Sequence, residues 1–313
     1  MDVSIIIVNY NTKQLTSNCI NSLIHSKCTD PTYEIILVDN ASYDGSVEEI
    51  TSKYPEVKVI KNTENFGFAK ANNQGIAIAS GKYILLLNSD TIVEPGTLGT
   101  IISFMDENPK IGASGCKVVL PDGSLDKACR RGFPTPLTTF YYVSGLSKLF
   151  PKSPHFNAYH MEYLSEDDSY PVDCLVGAFM MVRREVIDQV GMLDERFFMY
   201  FEDTDWCYRI QQAGWINYYY PMTQITHFKR GSSRGRPFRI TYEFHRAMKM
   251  FYDKHYRKQY PFWVTLLMYA GITVKFGATV AKDQIWKLFQ QAKPSKKKAP
   301  TPGENSKVIN AGK

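Results

Sequence analysis

Three carboxylates lie within four positions in the stretch FFMYFEDTDWCYRIQQAG, residues 197–214. Glu202, Asp203 and Asp205 follow a run of aromatic residues, where negative charge is costly unless it acts as a base or faces a cation. Side chains one or two positions apart point to different faces of a helix, so the three acids cannot all serve one site. One is a candidate general base, and another is expected to cap the helix. The alternative is that all three complement the helix dipole.

A second acidic site ends the apolar run YILLLNSD, where a predicted buried strand leads into Asn88, Ser89 and Asp90. One carboxylate that shares Mg²⁺ or Mn²⁺ with two phosphate oxygens is the usual arrangement at a diphosphate. Asp90 is therefore a candidate metal ligand, with a turn or a helix cap before Pro95 as the alternative. The chain has neither G-x-G-x-x-G nor G-x-x-x-x-G-K-[ST]. The phosphates of a bound nucleotide are thus expected to be held by a metal.

Polar residues also end two other apolar runs. Asp39 stands in EIILVDNASYDGS, and Asn9 stands in VNYNT. The Asp39 carboxylate can accept hydrogen bonds from a nucleotide base or a ribose. The alternative is a turn, because Asn, Ser, Asp and Gly dominate loops.

Four continuously apolar runs predict strands that are buried on both faces, at residues 3–8, 34–39, 57–60 and 83–87. They alternate with helix-like stretches, one of which opens with the capping-box pattern of Ser46 and Glu49. This alternation predicts an α/β fold with a mostly parallel central sheet flanked by helices. Ligands bind such sheets at the carboxyl ends of the strands, where the polar loops lie.

The pattern along the chain predicts one catalytic domain with an appendage. Residues 1–115 form a nucleotide-binding half, and residues 116–240 form an acceptor and catalytic half with an irregular excursion at 121–172. WINYYYP and QITHF are predicted as two strands. Residues 241–292 form a C-terminal helical appendage, and residues 293–313 form a disordered basic tail.

The formal net charge of +6 is concentrated at the C-terminus, where residues 282–313 hold eight lysines against Asp283 and Glu304. The neutral remainder argues against nucleic acid as a partner, whereas the basic tail favours an anionic membrane surface. The alternative is a solvated tail that binds nothing.

The apolar stretch 262–281 contains Lys275, and KDQIWKLFQQAK after it mixes apolar residues with lysines as an interfacial helix does. Because MDVSIIIVNYN lacks the basic start of a signal peptide, we expect a cytoplasmic protein that lies peripherally on the inner face of the plasma membrane. The alternative is a soluble helix that packs on the catalytic domain.

Five segments in order resemble the family-2 glycosyltransferases of GT-A fold: VSIIIVNYN, VDNASYDGS, NTENFGFAKANNQGIAIASGKYILLLNSD, GAFMMVRREV and DERFFMYFEDTDWCYRIQQAGW. The resemblance spans residues 3 to about 235 and points to the rhamnosyltransferase-like branch of bacterial surface-polysaccharide biosynthesis. It implies a divalent cation, Mn²⁺ or Mg²⁺, and inverting transfer of one sugar from a dTDP- or UDP-sugar, such as dTDP-rhamnose. The implied acceptor is a glycan or a polyprenyl-diphosphate-linked sugar. Processive synthases of this family carry Q-x-x-R-W, which is absent here, so single additions are favoured.

The resemblance also implies roles for individual residues. The base is Asp203, with Glu202 and Asp205 in support. Asp39 contacts a uracil or thymine base, and Gly67 lets the backbone approach the nucleotide. The nucleotide-binding set comprises Asn9, Asp39, Asn65, Gly67, Asn72, Asn88 and Ser89.

The metal motif of the family, normally D-x-D, is occupied by Asn88, Ser89 and Asp90, so that Asn replaces the first acid. Asp90 is the implied direct ligand. His227, in THFKRGSS, matches a histidine that completes the metal shell, and neutral imidazole suits Mn²⁺ somewhat better than Mg²⁺.

The basic segment HFKRGSSRGRPFR contains candidates for closure over the diphosphate, namely Arg230, Arg234 and Arg236. A guanidinium group binds phosphate through two parallel hydrogen bonds. A mobile surface loop, or a phosphate site for a lipid acceptor, is the alternative.

Two rival functions remain at this stage. A non-catalytic nucleotide-sugar-binding or scaffold protein of a polysaccharide assembly complex should lack Asp203 or Asp90. A nucleotidyltransferase should have a Gly-rich basic loop after its first strand, where this chain has NYNTKQ.

Overall fold

The four apolar runs all form strands. The structure is a computed structural model that describes residues 1–25, 31–229 and 238–292. The strands are β1 (Val3–Asn9), β2 (Tyr33–Asp39), β3 (Lys58–Lys61) and β4 (Tyr83–Asn88). They pair in parallel in the order β3-β2-β1-β4. Ile5, Ile6 and Ile7 are fully buried, as expected of strands that are covered by helices on both faces.

Three helices make the crossovers of this half: α1 (Lys13–His25), α2 (Ser46–Lys53) and α3 (Phe68–Ile78). The start of α2 is where the sequence predicts it, but the capping box is not formed. Gly45 is the N-cap in a left-handed conformation, and the Ser46 hydroxyl instead donates to Asp44 Oδ1. Glu49 forms an ion pair with Lys13.

The second half continues the same sheet. Its strands are β5 (Thr91–Val93), β6 (Ile111–Val119), β7 (Tyr170–Pro171), β8 (Phe179–Arg183) and β9 (Ile216–His227). The full order is β3-β2-β1-β4-β8-β6-β9-β5, with β7 against β9. The pairings make β8, β5 and β7 antiparallel to their neighbours. The other strands share one direction, so the described sheet is mixed and mostly parallel.

The helices of the second half are α4 (Thr97–Glu107), α5 (Pro136–Val143), α6 (Leu146–Leu149), α7 (Arg184–Val190), α8 (Glu202–Gln212), α9 (Phe238–His255) and α10 (Phe262–Ala292). The excursion at 121–172 contains α5, α6 and a 3₁₀ turn at Lys127–Cys129 among irregular segments. The two strands predicted for WINYYYP and QITHF are one continuous strand, β9, because Pro221 lies within it without ending it.

The predicted boundary at residue 240 separates elements that share a core. Phe251, Tyr252 and Tyr256, on or just after α9, are buried in the same cluster as the strands. Helix α9 therefore packs into the core of the sheet, and the division of the chain at residue 240 stays a prediction. The predicted tail, residues 293–313, lies outside the described residues.

Helix α10 differs from the other helices in its surroundings. Residues Phe262–Trp286 are long and apolar enough to cross a membrane by length and composition, and only 11% of their most apolar window is buried. The helix packs against α9, where Tyr252 Oη lies 2.9 Å from Thr265 Oγ1 and Tyr269 Oη donates to Asp253 Oδ1.

Candidate active site

Strand direction brings most of the predicted site residues to one edge of the sheet. Asn9, Asp39, Asn88 and His227 are the last residues of β1, β2, β4 and β9, which all run the same way. The segment before the antiparallel β8 reaches this edge too, because the Asn88 amide donates to the Ala178 carbonyl. The edge is the one at which open α/β sheets bind ligands.

The Asn9 side chain is fully buried, and both of its polar atoms form hydrogen bonds within the protein. Its Nδ2 lies within hydrogen-bond distance of Asp39 Oδ1, Ser42 Oγ and Ser46 Oγ, at 2.7, 3.0 and 2.8 Å. Its Oδ1 accepts from the hydroxyls of Thr12 and Thr16. These bonds fix the loop after β2 against the loop after β1, and they orient Asp39. Asp39 Oδ2 in turn accepts from the Ser42 amide.

The Asn65–Gly67 turn connects β3 to α3. Asn65 Oδ1 accepts the Gly67 amide, and Gly67 has φ 85°, in the region that favours glycine. A Cβ at Gly67 would lie 2.3 Å from the Phe198 carbonyl oxygen. The close backbone approach that we predicted toward a nucleotide is therefore made, in this structure, to the loop that precedes α8.

The start of α3 is tied to that same loop. The Phe68 amide donates to the Phe198 carbonyl at 2.7 Å, and Asn73 bonds to both backbone groups of Leu193. Asn72 Nδ2 donates to the Phe68 carbonyl, while its buried Oδ1 has no hydrogen-bond partner among the described residues. The predicted nucleotide half and the acid cluster are thus held together directly.

The metal candidates Asp90 and His227 are neighbours. His227 Nε2 lies 3.1 Å from Asp90 Oδ1 and 3.3 Å from Asn88 Nδ2, and Thr91 is opposite His227 in the sheet. The Ser89 hydroxyl lies 3.0 Å from Thr12 Oγ1. Thr12 in turn donates to Asn9 Oδ1, so Ser89 is linked to Asn9 by hydrogen bonds.

Asp126, which the sequence analysis missed, stands behind His227. Its Oδ2 lies 3.4 Å from His227 Nδ1, and its Oδ1 accepts from Lys229 Nζ at 2.7 Å. Burial alone would raise the pKa of Asp126, but the bonds from His227 and Lys229 lower it to about 2. Asp126 lies 101 residues from His227 in the chain, and its surroundings in LPDGSLDKA read as an ordinary turn.

Asp90 and His227 are two candidate donors for a divalent cation. Among the described residues no group of three or more His, Cys, Asp or Glu side chains is arranged to hold one, so a cation bound here would take its other ligands from phosphate oxygens and water. Burial would lower the pKa of His227, but the bonds to Asp126 and Asp90 raise it. A cation beside Nε2 would take the place of the proton shared with Asp90. Asp126 on Nδ1 then matches the carboxylate that usually orients a metal-bound histidine.

Neighbours from three segments contact the Asp203 side chain. Arg131 Nη2 lies 3.1 Å from Asp203 Oδ2, which also accepts the Gly177 amide at 3.2 Å. Oδ1 accepts the amide of Thr204. The turn before it has left-handed φ at two consecutive non-glycine residues, Tyr200 and Phe201, a strain that is typical of functional sites. Arg131, in ACRRGFP, was missed because it lies in the irregular excursion.

Glu202 is the first residue of α8 and is only 6% exposed. Its Oε2 has no hydrogen-bond partner among the described residues. Burial, with a further contribution from the negative charge of Asp203, raises the pKa of Glu202 well above its ordinary value. Glu202 therefore holds its proton to higher pH than an ordinary glutamate does.

Asp205 has different partners from Asp203, and its predicted supporting role stays a prediction. It is fully buried on the far side of α8, where Oδ1 lies 2.6 Å from Lys254 Nζ and 2.7 Å from His255 Nε2. Oδ2 accepts from Arg209 Nε at 2.9 Å. Burial would raise its pKa, but these partners lower it. Asp205 anchors α9 to α8.

A cavity of about 340 Å³, here called the acceptor cavity, opens beside both acidic centres. Asp126 and Lys229 line it on the metal side, and Arg131 lines it on the Asp203 side. Lys275, from α10, lines the same cavity. Arg230, Arg234 and Arg236 lie outside the described residues.

An α/β sheet with polar residues at the carboxyl ends of its parallel strands is typical of ligand-binding α/β folds. The profile described as "Glycosyl transferase family 2" matches residues 4–191. The chain belongs to this family, and it is a glycosyltransferase.

One relative has a specific assigned reaction. The chain is 30% identical over 242 residues to "N-acetylglucosaminyl-diphospho-decaprenol L-rhamnosyltransferase" of Mycobacterium tuberculosis, a match that covers 74% of this chain and 78% of the relative. This similarity confirms the expected rhamnosyltransferase-like branch.

Two solved structures confirm the GT-A fold. One is Staphylococcus aureus TarS 1–349, at 17% identity and a TM-score of 0.53, with 80% of this chain and 64% of that chain covered. The other is GalNAc-T7 with UDP, GalNAc and Mn²⁺, at 17% identity and a TM-score of 0.57, with 79% and 46% covered. The chain thus spans less than two thirds of each of these structures.

Proposed function

We propose that this protein transfers one sugar, with inversion, from a dTDP- or UDP-sugar to a lipid-linked diphosphate sugar or another glycan in cell-surface polysaccharide biosynthesis. The similarity to a rhamnosyltransferase that acts on a diphospho-decaprenol supports dTDP-rhamnose as a donor and a polyprenyl-diphosphate sugar as an acceptor. One observation carries the proposal. The Asp203 carboxylate, fixed by Arg131 and the Gly177 amide, borders the same edge as Asn88–Asp90.

The donor would lie across the carboxyl ends of β1, β2 and β4. Asp39 is the residue for the base or ribose, with Asn9 as its positioning residue through the 2.7 Å bond. Asn65 and Gly67 shape the wall of this pocket, and Asn72 adds an amide there. Asp90 and His227 would hold the cation. A bound divalent cation neutralises charge on the departing nucleoside diphosphate.

Asp203 would receive the proton of the acceptor hydroxyl as its oxygen bonds to the anomeric carbon and the bond to the diphosphate breaks. The Arg131 guanidinium and the Gly177 amide orient the Asp203 carboxylate, and a general base has to be held in a fixed position.

The scaffold alternative is disfavoured because both acidic centres are present and held by partners. A two-part experiment tests the proposal. Thermal unfolding is measured with UDP-, dTDP- and GDP-sugars, with and without Mn²⁺, since a bound donor stabilises the fold by mass action. Transfer to a polyprenyl-diphosphate sugar is then measured with the donor that binds. Donor binding without transfer to any glycan or lipid-linked acceptor would favour the scaffold.

A further inference from the structure

An apolar groove of about 650 Å³ runs between α5 and α10. Its walls include Leu137, Phe140, Val143, Trp263, Leu267 and Ile272. Several of these side chains are left exposed, with Phe140 at 59% and Leu267 at 66%. Contiguous apolar surface of this kind marks a binding site far more often than chance exposure does. Its volume falls within the range of ligand pockets.

The groove is continuous with the acceptor cavity. Thr139, Met248 and Lys275 line both spaces. A molecule in the groove would therefore have one end near Arg131, the partner of Asp203. The polarity changes along this path, because the groove is lined mainly by apolar side chains, whereas the cavity carries Lys275 together with the ion-paired Lys127, Arg131 and Lys229 and with Asp126.

Lys275 marks the junction between the two spaces. Its Nζ lies 5.2 Å from the centre of the Tyr142 ring and 5.8 Å from that of Phe244. No carboxylate among the described residues forms an ion pair with it, and burial lowers the pKa of its ammonium group. Lys275 is half-buried, and its charge faces two aromatic rings. An anionic ligand group that enters the cavity would therefore find a cation that no protein carboxylate already neutralises.

We propose that the groove binds the polyisoprenyl chain of a lipid-linked diphosphate acceptor, with Lys275 in contact with its diphosphate. This inference rests on the proposed function. The order of features matches the order of groups in such an acceptor. The base Asp203 meets the sugar hydroxyl, the basic cavity with Lys275 meets the diphosphate, and the apolar groove meets the chain. A membrane phospholipid has no sugar to place at Asp203.

Two glycines of α10 provide a matched pair of variants. Gly271 lines the groove and Gly277 lines neither space, and a Cβ at either would have no heavy atom within 4 Å. Gly271→Phe should fill the groove without disturbing the fold, and Gly277→Phe should add the same side chain elsewhere. Both replace glycine in a helix with a better helix former.

The probe is radiolabelled farnesyl diphosphate, with equilibrium binding measured on the full chain. Gly271→Phe should weaken binding at least about 10-fold, since the loss of two buried CH₂ groups is enough for that factor. Gly277→Phe should stay within about twofold of wild type, because the groove is unchanged. Equal binding by Gly271→Phe and Gly277→Phe, equal weakening by both, or no binding by wild type would overturn the inference.

Two probes that differ in charge, farnesyl diphosphate and farnesol, test the role of Lys275. Lys275→Gln should weaken farnesyl diphosphate but not farnesol, and Lys275→Arg should restore binding of the diphosphate. A variant that weakens both probes equally would assign Lys275 to packing alone and overturn its contact. Competition by dioleoyl phosphatidic acid as strong as that by farnesyl diphosphate would make the groove a general lipid site, which also overturns the inference.

The binding assay separates this inference from the proposed function. A wild-type protein that transfers no sugar, but binds farnesyl diphosphate with the expected variant pattern, would refute the transferase proposal and support the groove. A protein that transfers sugar equally well to long-chain and soluble acceptors, with no effect of Gly271→Phe on either, would support the transferase and refute the groove.

Discussion

Arg131 Nη2 lies 3.1 Å from Asp203 Oδ2, and the two residues are 72 positions apart in the chain. The arginine belongs to the segment after the 3₁₀ turn, and the aspartate belongs to the first turn of α8. The contact therefore joins the acceptor cavity, which Arg131 lines, to the carboxylate that we propose as the base. Because Arg131 engages Oδ2 of Asp203, the contact fixes the direction in which the carboxylate points.

Asp203→Asn should lower kcat about 10²–10⁴-fold, because it removes the proton acceptor. The amide oxygen can still accept from Arg131, so donor binding should stay close to wild type, whereas the free energy of unfolding should fall because the Arg131 guanidinium loses its anion. Steady-state transfer and donor-induced thermal shifts measure the two effects. A variant with wild-type kcat would place the base elsewhere.

Asp126→Asn should weaken the apparent affinity for the activating metal about 10–100-fold, the usual effect of removing the group that orients a metal-bound histidine. Titration of activity with Mn²⁺ measures the change, and saturating Mn²⁺ should restore much of the rate. Asp122→Asn, in the exposed loop nearby, is the control, since its carboxylate bonds only within the turn to Ser124.

Asp90→Ala should abolish the metal response altogether, because it removes the direct ligand. If EDTA had no effect on the wild type and Asp90→Ala were active, the proposal that transfer requires a metal would be refuted.

Glu202→Gln should change how stability depends on pH. The pKa of Glu202 in the folded state is raised above the ordinary 4.5, so the folded state keeps a proton that the unfolded chain releases. Wild-type stability should then fall as pH rises from 4.5 toward the folded-state value, by up to about 1.4 kcal/mol per pH unit from this group.

Gln does not titrate, so the stability of the variant does not fall with rising pH on account of this position. Urea unfolding of both proteins at pH 5, 6, 7 and 8 gives the difference in free energy of unfolding. That difference should grow in favour of the variant as pH rises. A difference that stays constant would mean that Glu202 is ionised in the folded protein.

Asp205→Asn should lower the free energy of unfolding by about 3–5 kcal/mol, because it leaves Lys254, Arg209 and His255 without their buried anion. Activity per folded molecule should remain near wild type. Glu48→Gln, which loses an exposed pair with Lys61, should cost less than about 1 kcal/mol. Loss of kcat in a stable Asp205→Asn protein would return this residue to the catalytic site.

Membrane association should be peripheral and electrostatic. Full-length protein should float with anionic vesicles and be released by high salt, since each lysine near the surface contributes about 1 kcal/mol. Combined replacement of Lys296, Lys297 and Lys298 by Gln should weaken flotation, and neutral vesicles should bind little. Salt-resistant flotation would instead indicate that α10 spans the bilayer, and no flotation would leave the protein soluble.

The sequence alone determined the parallel half of the sheet and the edge at which the site lies. Continuous apolar runs such as residues 3–8 can only be buried on both faces, and strand–helix alternation forces their carboxyl ends to one edge. Asn9, Asp39, Asn88 and Asp90 were therefore located from local pattern. The same local pattern predicted two strands where β9 is one, because Pro221 reads as a break.

Tertiary structure decided the roles within the acid cluster. Glu202, Asp203 and Asp205 are alike in sequence, yet burial raises the pKa of the first, the second pairs with Arg131, and the third is enclosed by cations from α8 and α9. Ionisation depends on burial and on charges within a few ångströms, and here those charges come from segments far away in the chain. Asp126 behind His227 and Lys275 at the mouth of the groove were placed in the same way, by contacts that no local pattern encodes.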